Sequence, residues 1–220
     1  MEKDRRSKSL FILGLSILLL CTTLGFAAFS ANLRVSSSAT VTPNEVDFKV
    51  VASGSETDSS VDIVSPSTVG GASADDVVIV NEKGSSSANI NVNFTEPGQS
   101  VTYQFFIHNE GEYDAHLKSL DFKNVVDSNS KKICNVVDGS DATVDLVNQA
   151  CEDIEISVEI KNGSDFLEFK DSNTFENVTL LKGRVSSGKF NITYPDGSAR
   201  ADGAFNIQFG DIELTYSSAN

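Results

Sequence analysis

"FTEPGQSVTYQFFIHNEGEYDAHLKSLDF", residues 94–122, decides the fold class. Val101, Tyr103, Phe105 and Ile107 alternate with polar residues, the period of a strand with one buried face. Pro97-Gly98 supplies a turn before the run. Asn109-Glu110-Gly111-Glu112 follows it, a turn of hairpin length, and Ala115, Leu117, Leu120 and Phe122 resume the apolar pattern. The stretch therefore predicts strand, turn, strand.

The same signals extend outward. Toward the N-terminus, Ile90, Val92 and Phe94 of "NINVNF" alternate cleanly, and Val46, Phe48 and Val50 predict another strand. Leu33 and Val35 lie on one face of a weaker alternation, ended by Pro43-Asn44. Residues 53–88 are rich in Ser, Gly and Asp and read as a loop region with short edge strands at Val61–Val64 and Val77–Val80. Toward the C-terminus, "IEISVEI" (154–160), "FLEF" (166–169), "NVTLLKGRV" (177–185) and "KFNITY" (189–194) read as strands. Asn162-Gly163, Ser187-Gly188 and Asp196-Gly197 are turn signals between or beside them. A short helix is expected around Val144, Leu146, Val147 and Ala150. The closing stretch alternates through Phe205, Ile207 and Phe209, then through Ile212, Leu214 and Tyr216, with Gly210 read as a bulge between them. Eight or more short strands with few helices predict an all-β fold, an antiparallel β-sandwich of jelly-roll type.

The first residues belong to a different regime. Lys3, Arg5, Arg6 and Lys8 precede "LFILGLSILLLCTTLGFAAF" (10–29), which carries no charge. A basic start, an apolar core and small residues form the layout of a secretory signal. An uncharged stretch of about 20 residues is also long enough to span a bilayer. Residues 1–28 are therefore a signal peptide or a signal-anchor helix, and either sends residues 29–220 outward. Gly25 and Ala27 suit a cut before Ala28, and a cut between Ala28 and Phe29 is equally compatible. Cys21 follows three leucines, which is not the setting of a lipid-acceptor cysteine.

Removing residues 1–28 takes away four of the 17 basic and two of the 31 acidic residues, so the net charge of -14 becomes -16 for the body. Such a body repels nucleic acid and anionic headgroups, which excludes nucleic acid as an expected partner. Catalytic motifs are missing from the sequence. His108 and His116, with Glu110 and Glu112, lack the i, i+4 spacing of a helical zinc site. Strand alternation turns His108 away from Phe105 and Ile107, toward solvent. The turns at 138–141 and 195–198 lack the ligand spacing and closing Glu of a calcium loop. Neither a catalytic site, a metal nor a cofactor is expected. Cys134 and Cys151 are the cysteines of the exported body, where a disulfide is the favoured state. Asn93, Asn162, Asn177 and Asn191 begin glycosylation sequons that matter only in a host with the machinery.

"GFAAFS" (25–30) and "EPGQSVTYQFFIHNEGEYDAHLKSLDF" (96–122) resemble the TasA and camelysin family of Gram-positive surface and biofilm-matrix proteins. Ala27, Ala28 and Phe29 match the signal end of that family, Pro97, Gly98 and Gln99 its turn, and Asn109 to Gly111 its strand end. The closing strand around Ile212–Tyr216 is similar too. Residues 125–185 depart from the pattern, and the cysteine pair is not a family hallmark. The resemblance implies a jelly-roll body that is processed by signal peptidase and assembles with copies of itself or with other matrix subunits. In such fibres an N-terminal strand completes the sheet of the next subunit. By position the donor candidates are Phe29, Leu33, Val35 and Val41, and the alternative is that the same segment pairs within its own domain. Camelysins have been described as proteases, but no catalytic motif accompanies the resemblance. The sequence thus predicts a structural protein, secreted or on the cell surface. A membrane-tethered extracellular binding or adhesion module is the alternative.

Overall fold

The computed structural model describes residues 30–35, 48–79, 81, 90–122, 133–170, 178–209 and 212–218. Their secondary structure is mostly β, and every strand pairing is antiparallel. In chain order the strands begin with β1 (Ser30–Val35), β2 (Val50–Ser53), β3 (Ile63–Val64), β4 (Pro66–Val69), β5 (Ser73–Ala74) and β6 (Val77–Val78). The middle of the chain supplies β7 (Ile90–Phe94), β8 (Gln99–Asn109), β9 (Ala115–Phe122), β10 (Ile133–Val136) and the helix α1 (Val144–Asp153). Then come β11 (Glu155–Asn162), β12 (Asp165–Phe169), β13 (Thr179–Leu180), β14 (Val185–Tyr194), β15 (Phe205–Phe209) and β16 (Ile212–Ser218).

The largest sheet runs β12-β11-β14-β8-β2, with β4 also on β8. A second runs β10-β15-β7-β5, a third β1-β16-β9-β13, and β3 pairs with β6. The three larger sheets bury one face each in a common apolar core. Val101, Tyr103, Phe105, Phe190 and Tyr194 enter it from the first sheet, Val92, Phe94, Phe205 and Ile207 from the second, and Leu117, Leu120, Leu214 and Tyr216 from the third. Tyr194 meets the ring of Phe205 edge-on at 5.4 Å and that of Phe94 at 5.9 Å, joining the first sheet to the second. Two buried phenols are bonded: Tyr103 donates to the Asp75 carbonyl at 2.9 Å and Tyr194 to the Ala199 carbonyl. Burial pushes both hydroxyls above their ordinary pKa.

Alternation along β8 produces the expected buried face, but the strand has no hairpin partner in β9. β8 pairs with β14 over ten residues, whereas β9 pairs with β16 and β13 in another sheet. The reason lies at the corner. The Asn109 amide donates to the carbonyls of Tyr113 (2.8 Å) and Leu180 (3.0 Å), and its Oδ1 accepts from the Gly111 N–H (3.1 Å). The Gly183 N–H donates to the Asn109 carbonyl and the Asn109 N–H to that of Arg184, both at 3.0 Å. Two corners therefore lock together, and each sends its chain into a different sheet. The second corner also divides "NVTLLKGRV", read as one strand, into β13 and the start of β14, with Gly183 at φ 66°.

Ser187-Gly188, read as a turn, instead lies inside β14. Gly188 faces Phe105, and a Cβ there would sit 2.3 Å from the Phe105 ring. The glycine makes room for an aromatic ring rather than for a bend. Likewise Gly210 is not a bulge within one strand: β15 and β16, on either side of it, belong to different sheets, and Gly210 itself lies outside the described residues. The strand expected at Val46–Val50 begins at Val50, with Phe48 already buried. Asn162-Gly163 and Asp196-Gly197 are turns, with Gly163 at φ 68° and Gly197 at φ 86°.

The expected helix is α1. Thr143 caps it by accepting from the Leu146 N–H, and Val147, Ala150 and Cys151 form its buried side. Cys134 and Cys151 are joined as a disulfide, tying β10 to the end of α1. Cys134 shares a register row with the fully buried Ile207, so the bridge lies on the core side of β10.

Candidate functional site

The expected chemistry is main-chain pairing, so the candidate site is a sheet edge. β1 is the outermost strand of its sheet and lies on β16 in an unbroken register from Ser30↔Ser217 to Val35↔Ile212. Leu33 stands opposite Leu214 and Val35 opposite Ile212. Ile212, Leu214 and Tyr216 are buried, and they fix which side of β16 faces the core. The register also aligns positions 34, 213 and 121 across three strands, occupied by Arg, Glu and Asp, and Glu213 is only 6% exposed. β1 also approaches β2 of the largest sheet. Among the candidate residues, Leu33 and Val35 lie in β1. Ala27, Ala28, Phe29 and Val41 lie outside the described residues, as does the whole expected signal or anchor segment.

Three of the other edges are built differently. β12 carries charge: Lys170 pairs with Glu155 at 3.0 Å and with Glu168 at 3.6 Å. Lys189 sits 4.6 Å from the ring centre of its exposed Phe166. Charge on an edge discourages addition of another strand. β13 has two residues, beside a shallow groove of about 400 Å³ lined by Lys161, Leu180, Leu181, Arg184 and Val185. β10 is held by the disulfide.

His108 is not at the surface. It is 7% exposed, and its Nε2 lies 2.8 Å from Ser53 Oγ and 2.9 Å from the Ser55 carbonyl. Alternation does turn it off the core face, but β2 pairs alongside and residues 53–55 fold over it. Next to it, Lys49 Nζ reaches Glu110 at 2.5 Å and Ser59 donates to the same carboxylate. The ammonium of Lys49, then the hydroxyl of Ser59, hold Glu110 below its ordinary pKa. His116 lies in the other sheet, half-buried, with Nδ1 2.9 Å from Thr179 Oγ1. The two imidazoles therefore serve separate sheets. Among the described residues no group of three or more His, Cys, Asp and Glu could hold a metal ion, and no helix is long and apolar enough to cross a membrane.

One feature was invisible in the sequence. On the outward side of the β10-β15-β7-β5 sheet, the register aligns Asn135, Asn206, Asn93 and Ser73 across all four strands. Asn206 donates to Asn93 Oδ1 at 3.1 Å, and Asn93 donates to Ser73 Oγ at 3.2 Å. Gln208 and Asn91 form a second row. Each residue is unremarkable in its own strand, and only the pairing makes a surface of them. Comparison with protein-family models, with curated proteins and with solved structures found no match.

Proposed function

We propose that this chain is an exported structural protein of β-sandwich, jelly-roll type, a subunit of a surface fibre or biofilm matrix assembled by β-strand complementation. A single observation carries the reading: the strand that follows the expected cleavage site is an edge strand, held on β16 in a continuous register. Once the expected cut frees its N-terminal side, this segment can take that place in its own subunit or in the next. If it leaves, β16 presents a row of unpaired N–H and C=O groups beside a buried apolar face. The resemblance of residues 96–122 to matrix proteins points the same way. Residues 29–220 should form filaments visible by electron microscopy, and the same protein lacking 29–41 should not. Filaments from the shortened protein would reject strand complementation.

A second reading, a membrane-tethered extracellular binding module, is favoured by the uncharged outward side of the β10-β15-β7-β5 sheet. An intact N-terminus in the membrane fraction of the native host would support tethering.

A further inference from the structure

The four strands β5, β7, β10 and β15 contain no Asp, Glu, Lys or Arg, in a chain that is 22% charged. Their inward positions are apolar, as the core requires. The register positions of the other face are Ser73, Asn91, Asn93, Asn135, Asn206 and Gln208, with Ile133 at the β10 end of the Gln208 row. Asparagine is disfavoured in strands, and a solvated strand face is ordinarily built from Thr, Lys, Glu and Arg. Four asparagines on adjoining strands set local propensity against the fold, a conflict expected where a surface has work other than folding. The ladder from Asn206 to Asn93 to Ser73 offsets part of the cost. Among the described residues, Asn91 Oδ1 and Asn206 Oδ1 are screened from solvent and accept no hydrogen bond, so the cost is not fully offset.

We propose that this face binds an uncharged polyhydroxylated polymer, a neutral polysaccharide. Strand spacing sets the amides of one row about 4.8 Å apart. Each amide presents a donor and an acceptor, the complement of a sugar hydroxyl, which also does both. The absence of charge fixes the ligand class. A body with a net charge near -16 repels acidic polymers, and this face has no cation to offset that. No carboxylate or ammonium at these positions has to be desolvated when a neutral chain lies across them. The outward side of the largest sheet, with Glu159 and Lys189 lining its groove, has no such property. The inference does not depend on fibre formation, since the face belongs to a sheet that β1 does not join.

The test is affinity electrophoresis of residues 29–220 in native gels cast with dextran, mannan, galactomannan or, for contrast, polygalacturonate. At least one neutral polymer should retard the protein, to the same extent at high and low salt, and polygalacturonate should not. Asn93→Ala with Asn206→Ala should weaken retardation at least ten-fold. Asn135→Ala at the exposed edge of the row tests the same face with little risk to folding, and should weaken it several-fold. Circular dichroism and thermal melting check that each variant is folded. Lys189→Ala, on the other face, should change nothing. Failure of all neutral polymers to retard the protein overturns the proposal, as does binding that survives the row variants. If the row variants instead alter self-association in sedimentation, with no polymer bound, the face is a contact between copies and the proposal also fails. Filament assays on the same variants keep this result separate from the fate of the strand-complementation reading.

Discussion

β10 and β1 are both outermost strands, four and six residues long, and each pairs on one side with a strand from the end of the chain. They are secured by different means. β10 is paired with β15 and bonded covalently to α1, whose Val147 and Ala150 sit in the core. β1 is paired with β16 and carries no covalent tie among the described residues. An edge strand leaves main-chain groups unpaired, and nothing in β-structure itself distinguishes a strand that must stay from one that can be exchanged. The covalent tie fixes β10, and no disulfide of the described residues fixes β1, which under the proposed reading is the edge that changes partner.

The largest effect is expected from fixing β1 as firmly as β10. Ser30 and Ser217 are direct register partners, at a separation a disulfide accepts. Ser30→Cys with Ser217→Cys, oxidised while monomeric, should give an intrachain bridge and abolish filament growth. Oxidised after assembly, the same variant should give a ladder of covalent multimers on non-reducing gels. Growth by the locked monomer would show that β1 never changes partner.

The converse experiment releases β10. Cys134→Ser with Cys151→Ser opens a loop of about 16 residues and should cost about 3 kcal/mol in denaturant unfolding. Amide exchange should accelerate in β10 and its neighbour β15, and stay unchanged in β1. Equal acceleration at both edges would mean that they behave as one unit.

How far the sequence anticipated these edges depended on the range of the interaction. Strands whose alternation is self-contained, such as β7, β8 and β11, were legible because burial of one face imposes period two. The apolar spacing of Val144, Leu146, Val147 and Ala150 announced α1, and two cysteines in a body expected to be exported announced the bridge. The errors came from partners distant in sequence. Asn109–Glu112 has the length of a hairpin turn, but bonds to Leu180 and Arg184, some 70 residues away, make it a corner between sheets. Gly188 looked like a turn residue because nothing nearby in sequence says that Phe105 will lie against it. His108 looked exposed because alternation assigns a side but not what covers it. The amide row failed to register at all: its members come from four strands, and cross-strand register is not written in any one of them.

A smaller perturbation asks what selects the register of β1. Arg34 stands opposite the buried Glu213, and Asp121 is the next residue of the row. Arg34→Glu would align three acids. Like charges directly opposite are unfavourable, so β1 should lose about 1 kcal/mol, read as roughly five-fold faster amide exchange in β1, while β10 is unaffected. Arg34→Gln should fall between this variant and the unaltered protein. Equal rates in all three would leave the apolar pairs Leu33–Leu214 and Val35–Ile212 as the sole determinants of register.

The smallest effect concerns a third kind of fastening, an ion pair beside β2, the strand that β1 approaches. Lys49 and Ser59 hold the Glu110 carboxylate below its ordinary value of 4.5. A lowered folded pKa means that the unfolded chain binds the proton first. The contribution is therefore complete above the ordinary carboxylate range and is lost as pH falls below 4.5 and through the lowered folded value. Glu110 is one-third exposed and Lys49 about half, so solvent screening keeps the effect to a few tenths of a kcal/mol. An NMR titration should place the Glu110 midpoint below 4.5, and Lys49→Met should move it upward. Exchange in residues 53–61 should quicken over the same acid range, while β10 does not respond, because a disulfide has no proton to gain there. A Glu110 midpoint that ignores Lys49→Met would remove the ion pair from the fastenings on this side of the molecule and leave β2 to its main-chain pairing and the Ser53–His108 bond.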